Sequence, residues 1–224
     1  MTVLNQPDPA DLIRRLAHVR WIAGGTGAGK STLARVLAER HDVFVYDGDL
    51  AERRHVQRCT PQQHPYMCAL LQTPLEQRWT GRTPEEIFQG MPSLHGETFG
   101  FVIEDLLDLP TDRPVLVDDF RILPADLAPL LTWPEQAVFL LPTPDFRRHA
   151  LGTRFADIAR ARANWGNSDH TEAMANRLAR DELWDGEVRR QALKVDLPIL
   201  DVDGSKDVAE SADELAARFL LAGN

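Results

Sequence analysis

Apolar residues along this chain gather into short, nearly continuous runs, separated by turn residues and by stretches with helical spacing. The runs are VRWIAG (19–24), DVFVYD (42–47), RPVLVDDF (113–120), QAVFLLP (136–142) and LPILDVDG (197–204). Runs this short and this apolar predict strands buried on both faces. Their alternation with helices predicts a three-layer α/β fold, an open parallel five-stranded sheet with helices on both sides. Residues 30–40 bring Leu33, Val36 and Leu37 to one helical face, and residues 207–222 do the same with Val208, Ala212, Leu215, Ala216 and Phe219. Ligands of such sheets sit beyond the carboxyl ends of the strands.

Two segments are too long to be plain connections. One covers about residues 50–109 and the other runs from Pro142 to Leu197. Long excursions from a compact sheet usually carry binding loops or lids. There is no internal repeat and no low-complexity tract, so a single domain over residues 1–224 is expected.

Charge and composition narrow the partners. A net charge of −9 argues against general nucleic-acid affinity, which needs a basic surface. The two cysteines, Cys59 and Cys68, lack metal or redox spacing and suit a reducing compartment. The start, MTVLNQPDPADLIRRL, lacks the pattern of a secretory leader, and no apolar run reaches the ~20 residues of a membrane span. A cytoplasmic protein of undetermined oligomeric state is therefore expected. The histidines show no metal-ligand spacing, and no nucleophile elbow or Cys–His pair occurs.

GGTGAGKS (24–31) is the most specific signal. It fits GxxxxGK[ST], with Gly24, Gly29, Lys30 and Ser31 at the fixed positions, directly after a strand and opening a helix. Glycines let successive amides approach phosphate oxygens, and the helix adds its positive end. The cradle would be Gly25, Thr26, Gly27, Ala28, Gly29, Lys30, Ser31 and Thr32, with Lys30 reaching the β- and γ-phosphates and Ser31 ligating Mg²⁺. Lys30, Lys194 and Lys206 are the only lysines among 25 Lys and Arg residues, which makes a lysine in this loop harder to dismiss as accident.

With five α/β units, this loop resembles the P-loop NTPase superfamily, and the layout is similar to its nucleoside/nucleotide-kinase branch. Further matches support that resemblance. YDGDL (46–50) is similar to the DGD of adenylylsulfate kinases and to the Asp after strand two of gluconate and zeta-toxin-type kinases. The resemblance makes Asp49 the carboxylate that orients or deprotonates an acceptor hydroxyl, with Asp47 supporting it or binding the acceptor, although Asp-Gly-Asp is also turn chemistry. VLVDDFR (115–121) resembles a Walker B strand, with Asp118 or Asp119 at the metal and Arg121 near a phosphate or the acceptor. Residues 143–166 carry Arg147, Arg148, Arg154, Arg160 and Arg162 and resemble the arginine-bearing lid of these kinases, with Arg154 the first choice and Arg147 the second. DVDGSKD (201–207) resembles the loop that borders adenine.

In this reading the 50–109 insertion holds the acceptor pocket. Its candidates are Arg53, Arg54, His55, His64, Tyr66, Arg78, Trp79, Arg82 and Glu97. Arg177 and Arg180 could reach the nucleotide, but Asp181 one turn after Arg177 favours an exposed salt-bridged face. The expected activity is ATP-dependent phosphoryl transfer to a small-molecule acceptor with Mg²⁺, and no nucleic-acid or membrane partner. The alternative is an ATPase or GTPase switch, although the chain has neither an Asn-Lys-x-Asp nor an LSGGQ motif.

Overall fold

In the computed structural model the five runs become strands β1 (Val19–Gly24), β2 (Phe44–Asp47), β3 (Val115–Asp118), β4 (Ala137–Pro142) and β5 (Ile199–Val202). Residues 8–221 are described; the first residues of the stretch read above for a leader, 1–7, and position 222 of the last expected helix lie outside them. All pairings are parallel, in the order β2-β3-β1-β4-β5. Every residue of β1 and β4 is buried, as a sheet covered on both faces requires. β2 and β5 form the edges and are more exposed.

Side chains alternate across the sheet and feed two cores. On one face Trp21, Val117 and Phe139 pack with Leu106, Leu127 and Trp184. On the other, Ile22, Leu116 and Leu140 pack with Leu33, Leu37, Leu215 and Phe219. The first face is covered by helices α6 (Phe99–Leu107), α7 (Pro124–Leu127) and α10 (His170–Lys194), with Leu16, the C-cap of α1 (Pro9–Arg15), packed at its margin. The second is covered by α2 (Lys30–Arg40) and α11 (Val208–Arg218).

The two excursions are helical. The first contains α3 (Gly48–His55), α4 (Pro65–Gln72) and α5 (Pro84–Gln89) before α6. The second contains α8 (Pro144–Phe155) and α9 (Ile158–Trp165) before the long α10. They meet: Leu151, Phe155, Ala161, Trp165 and Ala173 form a small third core against which Trp79 packs. The 143–166 segment is thus anchored by its own apolar contacts to α10 and to the 50–109 excursion. Among the described residues no helix is long and apolar enough to cross a membrane.

Strand order sets where a ligand can sit. The chain leaves β1 toward β2 on one side, whereas β3, adjacent to β1, sends the chain across to β4 on the other. That divergence opens a crevice at the carboxyl ends of β1 and β3.

Candidate functional site

The loop from β1 to α2 occupies this crevice. Gly24, Gly27 and Gly29 have φ of 104°, 84° and 82°. At Gly24 a Cβ would also overlap the Leu140 carbonyl oxygen, so the turn out of β1 requires glycine. Gly29 is a left-handed N-cap with no side-chain hydrogen bond, which leaves the first amides of α2 unclaimed by a side chain. Thr26, Gly27, Gly29, Lys30, Ser31 and Thr32 line a space of about 100 Å³ in front of them. Gly25 and Ala28, also expected in the cradle, serve the fold first. The Gly25 amide donates to Leu140 O at 2.8 Å, and the Ala28 methyl packs in the second core.

Lys30 is buried, and its Nζ donates to Gly25 O at 2.7 Å. Burial lowers its pKa, while Asp118, Asp119, Asp185 and Asp49 oppose that shift. Four carboxylates therefore act on one ammonium, none of them in an ion pair with it.

The two consecutive aspartates after β3 part company. Asp118, the last residue of the strand, pairs in register with Ile22 of β1 and lines the space beside Ser31. Burial raises its pKa, and the Ser31 hydroxyl and Lys30 favour the charged form. Asp119 lines the same space, but its Oδ1 accepts from the Arg121 amide at 2.9 Å and Arg121 Nη1 at 2.7 Å. One carboxylate is left beside Ser31, and the other is consumed by the loop.

Arg121 is a buried hub. It donates to Asp49 Oδ1 from Nη2 at 2.7 Å and from Nη1 at 3.0 Å, and to Glu52 Oε1 from Nε at 2.7 Å. Although burial disfavours its charge, Asp119, Glu52 and Asp49 together raise its pKa. Asp49 itself is exposed, and only its Oδ1 is held. Arg121 thus holds, through one oxygen, a carboxylate that lines the central space.

Clefts open on both sides of the central space. One, of about 420 Å³, lies between α2, α8 and the β5–α11 loop, with Leu33, Phe146, Val202, Gly204 and Ser205 among its walls. Asp203, Gly204 and Ser205, the segment expected to border a base, are there. Arg154 lines both this cleft and the central space. The other, of about 340 Å³, is walled by both excursions, and Phe120 joins it to the centre. Arg78, Trp79, Arg82, Arg121, Arg177 and Arg180 contribute to it.

Other expected residues are elsewhere. Asp47 caps α3, accepting from the Leu50 amide at 2.9 Å, and Arg53 is exposed on that helix, outside the three-part cleft. His55 is buried with its Nε2 2.9 Å from Asp105 Oδ2, beside Arg54 at 3.3 Å. His64 packs on Phe101, Tyr66 stacks on His95, and Glu97 accepts from the Tyr66 and Met67 amides. These groups fasten the insertion together. Arg148, Arg160 and Arg162 are exposed away from the central space, and Asp157 caps α9. The exposed-face expectation for Arg177 and Arg180 is overturned: both are turned inward against Trp79, toward the 340 Å³ cleft and away from the base-sized one.

Asp185 escaped the sequence reading. It lies on α10 beneath the glycine loop, ion-paired with Arg147, whose Nε donates to Thr26 O at 3.3 Å. A Cβ on Gly25 would come within 2.6 Å of Asp185 Oδ1. Arg147, the second-choice lid arginine, is thus a buried brace for the loop. Burial pushes the Asp185 carboxyl from 3.8 up to about 6, against the pull of Arg147. Because the folded pKa lies above the unfolded one, the proton's contribution to stability is complete below about pH 4 and is lost as pH rises through about 6. The Tm of the wild type minus that of Asp185→Asn should fall across this window, by up to the equivalent of about 3 kcal/mol. A difference that stays flat with pH would contradict this environment for Asp185.

No protein-family model matches the chain, and no curated protein matches it.

Proposed function

We propose that the protein is an ATP-dependent small-molecule kinase, moving the γ-phosphoryl of ATP to a hydroxyl or phosphate of an acceptor. One observation carries this reading: the glycine loop, Lys30 and Asp49 line a space between two clefts, a partly apolar one bordered by the β5–α11 loop and an arginine-rich one bordered by Arg121. A nucleoside fits the first, an acceptor fits the second, and the triphosphate chain would run between them.

Ser31 Oγ and Asp118, the latter directly or through water, are the donors that fit Mg²⁺, a hard cation that takes oxygen ligands. When bound, Mg²⁺ neutralises charge across the β- and γ-phosphates. The chain's own groups supply positioning and charge. The α2 amides and Lys30 would hold the phosphates, and Arg154, exposed at the mouth, can swing onto the transferring group. The acceptor oxygen forms a bond to the γ-phosphorus as the bond to the bridging oxygen breaks. ADP leaves with that electron pair, and the free oxygen of Asp49 takes the hydroxyl proton.

Incubation with γ-labelled ATP and an acceptor panel tests this. The expected result is label on one acceptor class with little ADP formed in its absence. Acceptor-independent turnover stimulated by a protein would favour the nucleotide-dependent switch instead.

A further inference from the structure

The cleft beyond Phe120 has an unusual charge balance for a chain of net charge −9. Arg121 is matched by Asp49, Glu52 and Asp119. Of the other four arginines, Arg177 and Arg180 share one buried carboxylate, Asp181, and Arg78 and Arg82 have no ion-pair partner among the described residues, Glu52 of the same cleft being bound to Arg121.

Their hydrogen bonding is incomplete as well. Arg180 is only 6% exposed. Its Nη2 pairs with Asp181 Oδ1 at 2.7 Å, its Nη1 points at the Met91 sulfur at 3.0 Å, and its Nε has no partner. A thioether is a weak acceptor, so a buried guanidinium is left under-satisfied. Arg177 Nε makes no hydrogen bond and has only the longer ion pair to Asp181 Oδ2 at 3.7 Å, while its Nη1 reaches Asn164 Oδ1 at 3.1 Å. Burial pulls Arg177 down to about 10; Asp181 and, to a lesser extent, Asp49 oppose the shift, while Arg180 and Arg154 add to it. Arg78 and Arg82 have only backbone carbonyls, of Thr73 at 3.1 Å and of Glu86 at 2.9 Å.

Aromatic stacking of a ligand is a poorer explanation. Arg180 and Arg177 lie 4.8 and 5.1 Å from the centre of the Trp79 ring, so its surface is already in use. Trp79 serves to hold the two guanidinium groups in place. Four guanidinium forks around one cleft match the geometry of phosphate oxygens, and a phosphate monoester brings about −1.5 to −2 charge at pH 7, more than a single carboxylate.

Resting on the kinase reading, we infer that the acceptor is a hydroxylated phosphomonoester whose phosphate is held by Arg78, Arg82, Arg177 and Arg180. Its hydroxyl is then presented past Phe120 to Asp49. The cleft, about 340 Å³, suits a small molecule of this kind. Phosphoryl transfer to that hydroxyl proceeds as written above, and the acceptor's own phosphate is unchanged.

Calorimetric titration with inorganic phosphate, at low ionic strength, tests the site in three proteins: wild type, Lys30→Ala and the double variant Arg78→Ala/Arg82→Ala. Arg78 and Arg82 are half-buried and bonded only to carbonyls, so their removal spares the core. Phosphate binding should persist in Lys30→Ala and weaken roughly tenfold or more in the double variant, which keeps wild-type affinity for Mg·ATP. Binding lost in Lys30→Ala but kept in the double variant would put the anion in the glycine loop and overturn the inference. Binding that no substitution alters, an adventitious ion only, would overturn it too. Loss in the double variant together with no Mg·ATP binding in any of the three proteins would leave the anion site standing and remove the kinase reading alone.

Discussion

Lys30→Met is expected to reduce phosphoryl transfer by about 10³-fold or more while leaving the chain folded. Lys30 is the only cation buried inside the glycine loop, and it offsets the field of four nearby aspartates that would otherwise repel added phosphate charge. Removing a preorganised positive group from developing charge typically costs 10²–10³-fold, and here ground-state phosphate binding is lost with it. Methionine has similar length and no charge to desolvate. Burial already disfavours the ammonium, so the fold does not depend on it. Steady-state turnover with circular dichroism on the same sample checks both halves. A folded variant with ordinary activity would refute the assignment.

Asp49→Asn should cut transfer by about 10²–10⁴-fold, the usual range for a general base, with Mg·ATP affinity nearly unchanged. The separation arises from geometry. In the proposed arrangement Asp49 sits on the acceptor side, and its Oδ1 alone is held by Arg121, a contact an amide oxygen can still accept. The pair is exposed at the aspartate, and Arg121 keeps Glu52 and Asp119, so stability should change little. Single-turnover kinetics beside nucleotide titration separate the two effects. Loss of nucleotide binding with unaltered chemistry would mean that Asp49 belongs to the phosphate site.

How far the site was legible follows from how local each signal is. β1 and β4 are continuous apolar runs because both their faces are covered, and the glycine loop is legible because its steric demands fall on consecutive residues. Asp118 and Asp119 could not be ranked from sequence. The choice turns on the exit of the chain from β3, where Asp119 is claimed by Arg121. Arg177 and Asp181 have the spacing of a surface pair, and only contact with Trp79, almost a hundred residues earlier, reveals them as buried. Asp185 had a signal that went unread. Trp184, Val188 and Ala192 recur every four residues on α10, so an aspartate beside Trp184 stands at the margin of a buried stripe. His55, His64 and Tyr66 misled in the opposite sense, because polar aromatic residues fasten an excursion to itself as readily as they bind a ligand.

Isothermal titration of ATP into folded wild-type protein, with and without Mg²⁺, probes the glycine loop most directly. One-to-one binding that strengthens with Mg²⁺ and disappears in Lys30→Met is the predicted result. No uptake of ATP or any other purine triphosphate by well-folded protein would contradict it.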